Sequence, residues 1–530
     1  MGAKFDPLLN QLRTTDNIET ATFTTNGSVK QREYNVRDYG ALGDGSTDDT
    51  LAFNDAISAA TSTGGTVYVP HGTYILDATN ISNVTASMNG ESMKGTVLKL
   101  IDSYSSSQNL LRVVSTDSII ISNLTLDGNK DNVSDGMQYG LYISTTNNSG
   151  AVNVTSRNWT GVGVHFYNNT RAFGDRLYST GNGYHGFEFE QNTLGTFSDI
   201  HGYNNTLHGI LVSPGEVSGT GSRGNTFNNI VGSGNSQYGL AFNAANGDVS
   251  EFLSEGDVFS DVILTDNDQY GLNIYKQNGQ TFNGLYIYNN GFFGIYLFES
   301  SNNRFNGFEL HNNSQASDGG YDEILLEGYS TDSSHPSSYN IFQNGHIIID
   351  GDTKARYGIN EGTSNDGSNT YLNVYIPNNG TAGKFSIQST TSSLVTQATG
   401  LGIASNATLN GNQMGMDAPF GTAALRIVNF NPGGNIQFVA PNGTTNFYMG
   451  GNDVIDFTSD GVHINDSYNI TLDSTNGTRI GTAATQKLAF YGATPVVKPA
   501  NIPAPTATVD GLQTTVNSIL TLLQSLGLMT

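Results

Sequence analysis

Residues 162–213 read VGVHFYNNTRAFGDRLYSTGNGYHGFEFEQNTLGTFSDIHGYNNTLHGILVS, and one phrase recurs three times in them. Gly163, Gly186 and Gly209 each open a short run of alternating apolar and polar residues, and 23 residues separate each glycine from the next. Working outward, Gly140 lies 23 residues earlier, while Gly239, Gly271 and Gly294 follow at steps of 30, 32 and 23. A fixed period of this length, interrupted by occasional insertions, is the signature of stacked coils. It predicts an all-β protein built as a right-handed parallel β-helix, a β-solenoid.

Two further columns keep the register. Phe197, Phe227, Phe259 and Phe282 each stand 12 residues before the next glycine, and Phe305 continues the series. Asn205, Asn235, Asn267, Asn290 and Asn313 each follow one of these phenylalanines by eight residues. With strands about 4.8 Å apart, an asparagine repeated at one turn position can hand its side-chain amide bonds from coil to coil. After the glycines, Phe187/Phe189, Ile210/Val212 and their equivalents alternate inward to form the core. The intervening positions face out: His165/Tyr167, Glu188/Glu190, Leu211/Ser213, Ala241/Asn243, Asn273/Tyr275 and Tyr296/Phe298.

Composition agrees with many short strands and tight turns: 64 Gly, 26 Tyr, 26 Phe and only 13% charged residues in 530. Lys+Arg of 22 against Asp+Glu of 46 leaves a formal charge of −24, which repels nucleic acid and anionic membrane surfaces. Cysteine is absent, so packing and hydrogen bonds alone must hold the shape. No run of about 18 apolar residues predicts membrane insertion, and the N-terminal residues lack the apolar stretch of an export signal.

Residues 35–57, NVRDYGALGDGSTDDTLAFNDAI, and 64–76, GGTVYVPHGTYIL, form the entrance to the solenoid. Ser46 or Thr47 with Asp49 is expected to cap a helix over about residues 48–60, ended by Gly64 and Gly65, that covers the first coil. Asp44, Asp48 and Asp49 are read as turn and cap residues rather than as a metal cluster. This segment, with coils such as ISNLTLDGNK at 121–130, closely resembles the pectate-lyase-like superfamily of many bacteriophage tailspikes and polysaccharide depolymerases. The resemblance covers roughly residues 34–376 and implies fold more specifically than activity.

The ends differ from the solenoid. Residues 1–33, with FDPLLNQLRTTD at 5–16, resemble segments that attach phage tail proteins to the particle. Residues 377–495 read as a separate β-rich domain, in which GTAATQKLAFYGATPVVKP from Gly481 also resembles phage tail proteins. Residues 496–530 form a linker and a helix with Val509, Leu512, Val516, Ile519, Leu523 and Leu526 in an a/d seam, a short coiled coil. The tailspike resemblance implies a homotrimer.

Glu188 and Glu190 are expected on one outward strand, about 6.6 Å apart, with His165 about 4.8 Å from Glu188 on the neighbouring coil. Carboxylates spaced about 6.5 to 9.5 Å apart suit acid/base glycoside hydrolysis with a water between them. These three are the candidate catalytic residues. Tyr167, Tyr275, Tyr296 and Phe298 extend the same face and are candidates for sugar stacking. Asp127, Asp131 and Asp135 have loop spacing compatible with calcium but read as a structural turn, and Asp199 with His201 falls in a repeat-turn column. No cofactor or metal is expected, because no phosphate loop, HExxH, GxSxG or Cys/His cluster occurs in fitting context. The expected function is a virion tailspike acting outside the host cell: it binds a surface glycan and cleaves it, and its partner at the N-terminus is a tail or baseplate protein. The alternatives are a non-enzymatic adhesin or fibre and a cellular polysaccharide lyase or hydrolase.

Overall fold

A computed structural model describes residues 32–387, except Asp135, 215–220, 244–254, 329–335, 351–353, 363–367 and 379. Beyond these it describes several short strands, residues 502–526, Leu528 and Met529. Most of the expected attachment segment, Asp135 and most of the expected β-rich C-terminal domain lie outside the described residues. Residues 1–421 and 422–530 form two units, taken separately below.

The first unit is a parallel β-helix. Each regular coil contributes an eight-residue strand and a four-residue strand, and each strand pairs in parallel with its equivalents in the coils before and after. Thr196–Tyr203 pairs with Phe173–Thr180 and Thr226–Ser233, while Phe187–Glu190 pairs with Val164–Tyr167 and Ile210–Ser213. The long strands bend at their fourth residue. Asn153, Arg176, Asp199, Asn229, Asp261, Gly284 and Gly307 all adopt left-handed backbone there, and they drop out of the ladder pairing. Asp, Asn and Gly tolerate this conformation best, which explains their recurrence two positions after the phenylalanine column. The bend turns each long strand from one face of the coil to the next.

Inside, the phenylalanines stack from coil to coil: Phe197, Phe227, Phe259, Phe282 and Phe305 have centroids 4.5–5.1 Å apart, and Phe342 and Tyr371 extend the stack. The asparagine ladder is present and starts one coil earlier than expected. Asn182, Asn205, Asn235, Asn267, Asn290 and Asn313 each pass an Nδ2–H to the next Oδ1 at 2.7–3.0 Å. Glu323 ends it, its carboxylate accepting both the backbone N–H and the side-chain amide of Asn313. The glycine column belongs to this ladder. A Cβ on Gly209 would stand 2.7 Å from Asn235 Nδ2 and 2.8 Å from the Gly239 carbonyl, so these glycines provide space for the amides. Strand pairing continues past residue 376, through Gly383–Ser386 and Ser393–Val395.

At the entrance, helix α1 spans Thr50–Thr63 and buries Phe53, Ala56, Ile57 and Ala60 against the first coil. Gly64 ends it in left-handed conformation. The expected cap is corrected: Asp49 precedes the helix but its carboxylate accepts the Leu42 and Gly43 N–H groups, and Ser46 and Thr47 bond Asp44. Capping falls to Asp48, whose Oδ1 accepts from Thr50 N. In the second unit, helix α2 spans Val509–Ser525 with Thr508 accepting from Gly511 N, and none of its residues is buried. No described helix is long and apolar enough to cross a membrane.

Candidate functional site

The four-residue strands form one long sheet whose outward positions make two rows up the solenoid. Strand alternation sends Phe187 and Phe189 inward and leaves Glu188 and Glu190 outside. Parallel pairing then sets His165 opposite Glu188 and Tyr167 opposite Glu190. The three candidate catalytic side chains come together: His165 Nε2 lies 3.2 Å from Glu190 Oε2, and His165 Nδ1 lies 3.9 Å from Glu188 Oε2.

The cluster is tighter than the sequence implies. One ligand atom from each of the three residues lies within 4.8 Å of the others, so the carboxylates converge on the imidazole instead of standing apart around a water. Their side chains are only 9%, 17% and 16% exposed for His165, Glu188 and Glu190. Tyr142, Tyr139 and Tyr167 set their rings edge-on to His165 at 5.3, 5.8 and 5.9 Å and account for much of that burial. Neither imidazole nitrogen is aligned for a hydrogen bond with a described residue. Burial, with the Glu190 charge adding to it and His165 opposing it, raises the pKa of Glu188. Tyr139 is pushed up to about 12 by burial, then by the charge of Glu188. His165, Glu188 and Glu190 are also the one group among the described residues with the donor set to hold a divalent cation.

The four stacking candidates divide. Tyr167 belongs to the His165 cluster and stacks on Tyr142. Tyr275 and Phe298 stack at 5.1 Å three and four coils further on, about 14 Å and more from Glu190. Tyr296 turns aside, donating its hydroxyl to Glu327 at 2.8 Å and packing on Tyr270 and Phe293. Between the two aromatic groups the rows carry Leu211, Ser213, Ala241 and Asn243. Aromatic rings thus stand at both ends of this stretch of the face.

Beside the rows runs a column that strand alternation does not reveal. His185, His208, Tyr238 and Tyr270 stack at 4.5–4.7 Å along the axis. Burial lowers the pKa of His208 to about 3 and that of His185 well below its usual value. Both imidazoles are neutral near pH 7. Its sequence signal is the residue immediately before each aligned glycine.

The other candidates act as turns. Asp127 pairs with Arg157 at 2.8 Å and accepts from Asn129 N. Asp199 holds a bend, accepting from Asn229 and lying 2.9 Å from His201 Nε2.

Residues 34–211 match the family model described as rhamnogalacturonase A/epimerase, pectate lyase-like. The chain carries a pectate-lyase-like parallel β-helix. This solenoid is 35% identical over 203 residues to mannuronan C5-epimerase AlgE5 of Azotobacter vinelandii, a match covering 34% of this chain and 20% of that enzyme. It is 33% identical over 113 residues to the preneck appendage protein of Bacillus phage PZA, covering 21% of this chain and 13% of that protein. The chain thus spans a fifth or less of these relatives. Among solved structures, the A-module of Azotobacter vinelandii mannuronan C-5 epimerase AlgE4 superposes with a TM-score of 0.59 and 24% identity, over 68% of this chain and 99% of that module. That likeness concerns the pectate-lyase-like fold.

Proposed function

We propose that the protein is a homotrimeric tailspike of a tailed virus, anchored to the virion by its N-terminal segment, that binds a host surface polysaccharide along the short-strand face and cleaves it by acid/base chemistry. The observation that carries the reading is the His165–Glu188–Glu190 cluster, set on a ring-bearing face of a carbohydrate-enzyme fold. Glu188, whose pKa burial raises, gives its proton to the glycosidic oxygen as the C–O bond breaks. At a spacing within 4.8 Å, close to the roughly 5 Å of nucleophilic pairs, Glu190 bonds to the anomeric carbon as the leaving group departs, and water, giving its proton to Glu188, then displaces Glu190 and leaves its hydroxyl on that carbon. Support for the viral assignment comes from the similarity to a phage appendage protein. Support for self-association comes from α2, where Val509, Leu512, Val516 and Ile519 are exposed in the single chain.

The test is incubation of the purified spike with host capsule or envelope glycan. New reducing ends without unsaturated-sugar absorbance are expected. Tight binding with no cleavage favours the second reading, a non-enzymatic adhesin, to which the low exposure of the three side chains lends support. Neither binding nor cleavage refutes both.

A further inference from the structure

The charge distribution on the short-strand face speaks to the class of sugar. From Tyr142 to Phe298 the two outward rows contain no lysine or arginine, while Glu188 and Glu190 stand at their centre. The only group on these rows able to carry positive charge is His165, and it lies between the two glutamates. Three cations near the rows are engaged elsewhere, while Arg171 and Arg223 stand exposed in the turns beyond them. Arg112 donates to the Ile81 carbonyl and to Gln108, Lys130 to the Gly181 carbonyl, and Lys276 pairs with Glu299.

A polymer of uronic acids laid along this face would bring its carboxylates against the charge of Glu190, with no lysine or arginine on the two rows to receive them. Like-charge juxtaposition against a side chain that is only 16% exposed disfavours such a ligand. Elimination from a uronate also develops negative charge on the sugar's carboxyl group, and these rows offer it no lysine or arginine; only a divalent cation held by His165, Glu188 and Glu190 could meet it. Resting on the polysaccharide reading above, we infer that the site takes a neutral polysaccharide, of hexoses or N-acetylhexosamines, and hydrolyses it, in contrast to the mannuronan for which its epimerase relatives are named. Hydroxyl and acetamido groups need only hydrogen-bond partners, and Asn243 stands between the aromatic groups as one. Bonds balance: the glycosidic C–O bond breaks, a C–OH bond forms from water, and no double bond is left in the product.

The experiment uses the full-length spike and matched polymers: polymannuronate, the same polymer with its carboxyl groups reduced to alcohols, and neutral capsular polysaccharides, each with calcium and with chelator. Binding is read by quartz microbalance and cleavage by reducing ends. The expected result is binding of neutral polymers, with the carboxyl-reduced form preferred over its parent by at least roughly tenfold. Glu188→Gln with Glu190→Gln should shrink that preference. Equal or better binding of the parent polyuronate, with or without calcium, overturns the inference while leaving the polysaccharide reading intact. Binding of none of these polymers overturns the polysaccharide reading itself, and the inference with it.

Discussion

At Glu188, burial and the charge of Glu190 both favour keeping a proton, and His165 alone opposes them. A carboxyl group in this setting suits the general acid of glycoside cleavage. Glu188→Gln should lower turnover by roughly 10²–10⁴-fold while leaving adsorption to host glycan intact, as measured by reducing-end assay beside a binding assay. Wild-type turnover should also decline as pH rises through the raised pKa of Glu188, because the acid form is then lost. Unchanged turnover in the variant would remove Glu188 from the chemistry. The residues of this cluster were legible in the sequence because strand alternation and the 23-residue register fix which side chains are outward neighbours. Their distances were not. Side-chain rotamers bring both carboxylates onto one imidazole, and backbone spacing says nothing about rotamers. Tyr139, Tyr142, His185 and His208 were missed because they lie before the strand or one coil earlier, outside the paired positions that alternation selects.

At the scale of single elements, the asparagine ladder couples the coils through groups that water cannot reach. Asn235→Ala would strand the Asn205 amide and the Asn267 carbonyl oxygen without their partner, at a cost of roughly 1–3 kcal/mol, seen as a lower thermal midpoint with an unchanged fold. Where the ladder ends, burial pushes the carboxyl of Glu323 up to about 7, and Asp257, within a second line of turn amides, is likewise raised to about 7 by burial. The sign follows from proton counting. Below the usual carboxylate range both folded and unfolded chains hold these protons. Between that range and about 7 only the unfolded chain releases them, so stability falls as pH rises. For Glu323 alone the loss amounts to about 3 kcal/mol across the window. The thermal midpoint should therefore be higher at pH 5 than at pH 8, and Glu323→Gln should flatten that difference; an identical pH dependence in the variant would contradict the assignment. The main ladder was readable because its members keep a constant offset from the phenylalanines. The second one, Asn303–Asn340–Asn369, was hidden by insertions that make its steps 37 and 29 residues. The α1 cap was misread for a different reason: Ser46, Thr47 and Asp49 are all competent caps, and only the fold of the preceding turn decides which of their oxygens is free.

Over the whole molecule, periodicity made the solenoid plain, while function rests on outward positions that the period leaves unconstrained. Helix α2 is the case where the apolar seam read from the sequence falls on an observed helix and yet is left uncovered in the single chain. Its seam residues are exposed, with Ile519 at 42% and Leu512 at 56%. Ile519→Asp with Leu512→Asp should shift the purified protein from trimer toward monomer, read by sedimentation velocity, and a trimer that persists unchanged would place association elsewhere. The central claim, that the short-strand face is the polysaccharide site, is tested most directly by a crystal structure of the Glu188→Gln variant soaked with oligosaccharides of its host glycan. The account predicts sugar rings lying between Tyr167 and Tyr275, with a glycosidic oxygen within hydrogen-bonding distance of the side chain at position 188. An oligosaccharide seated on another face of the solenoid, with this one bare, would contradict it.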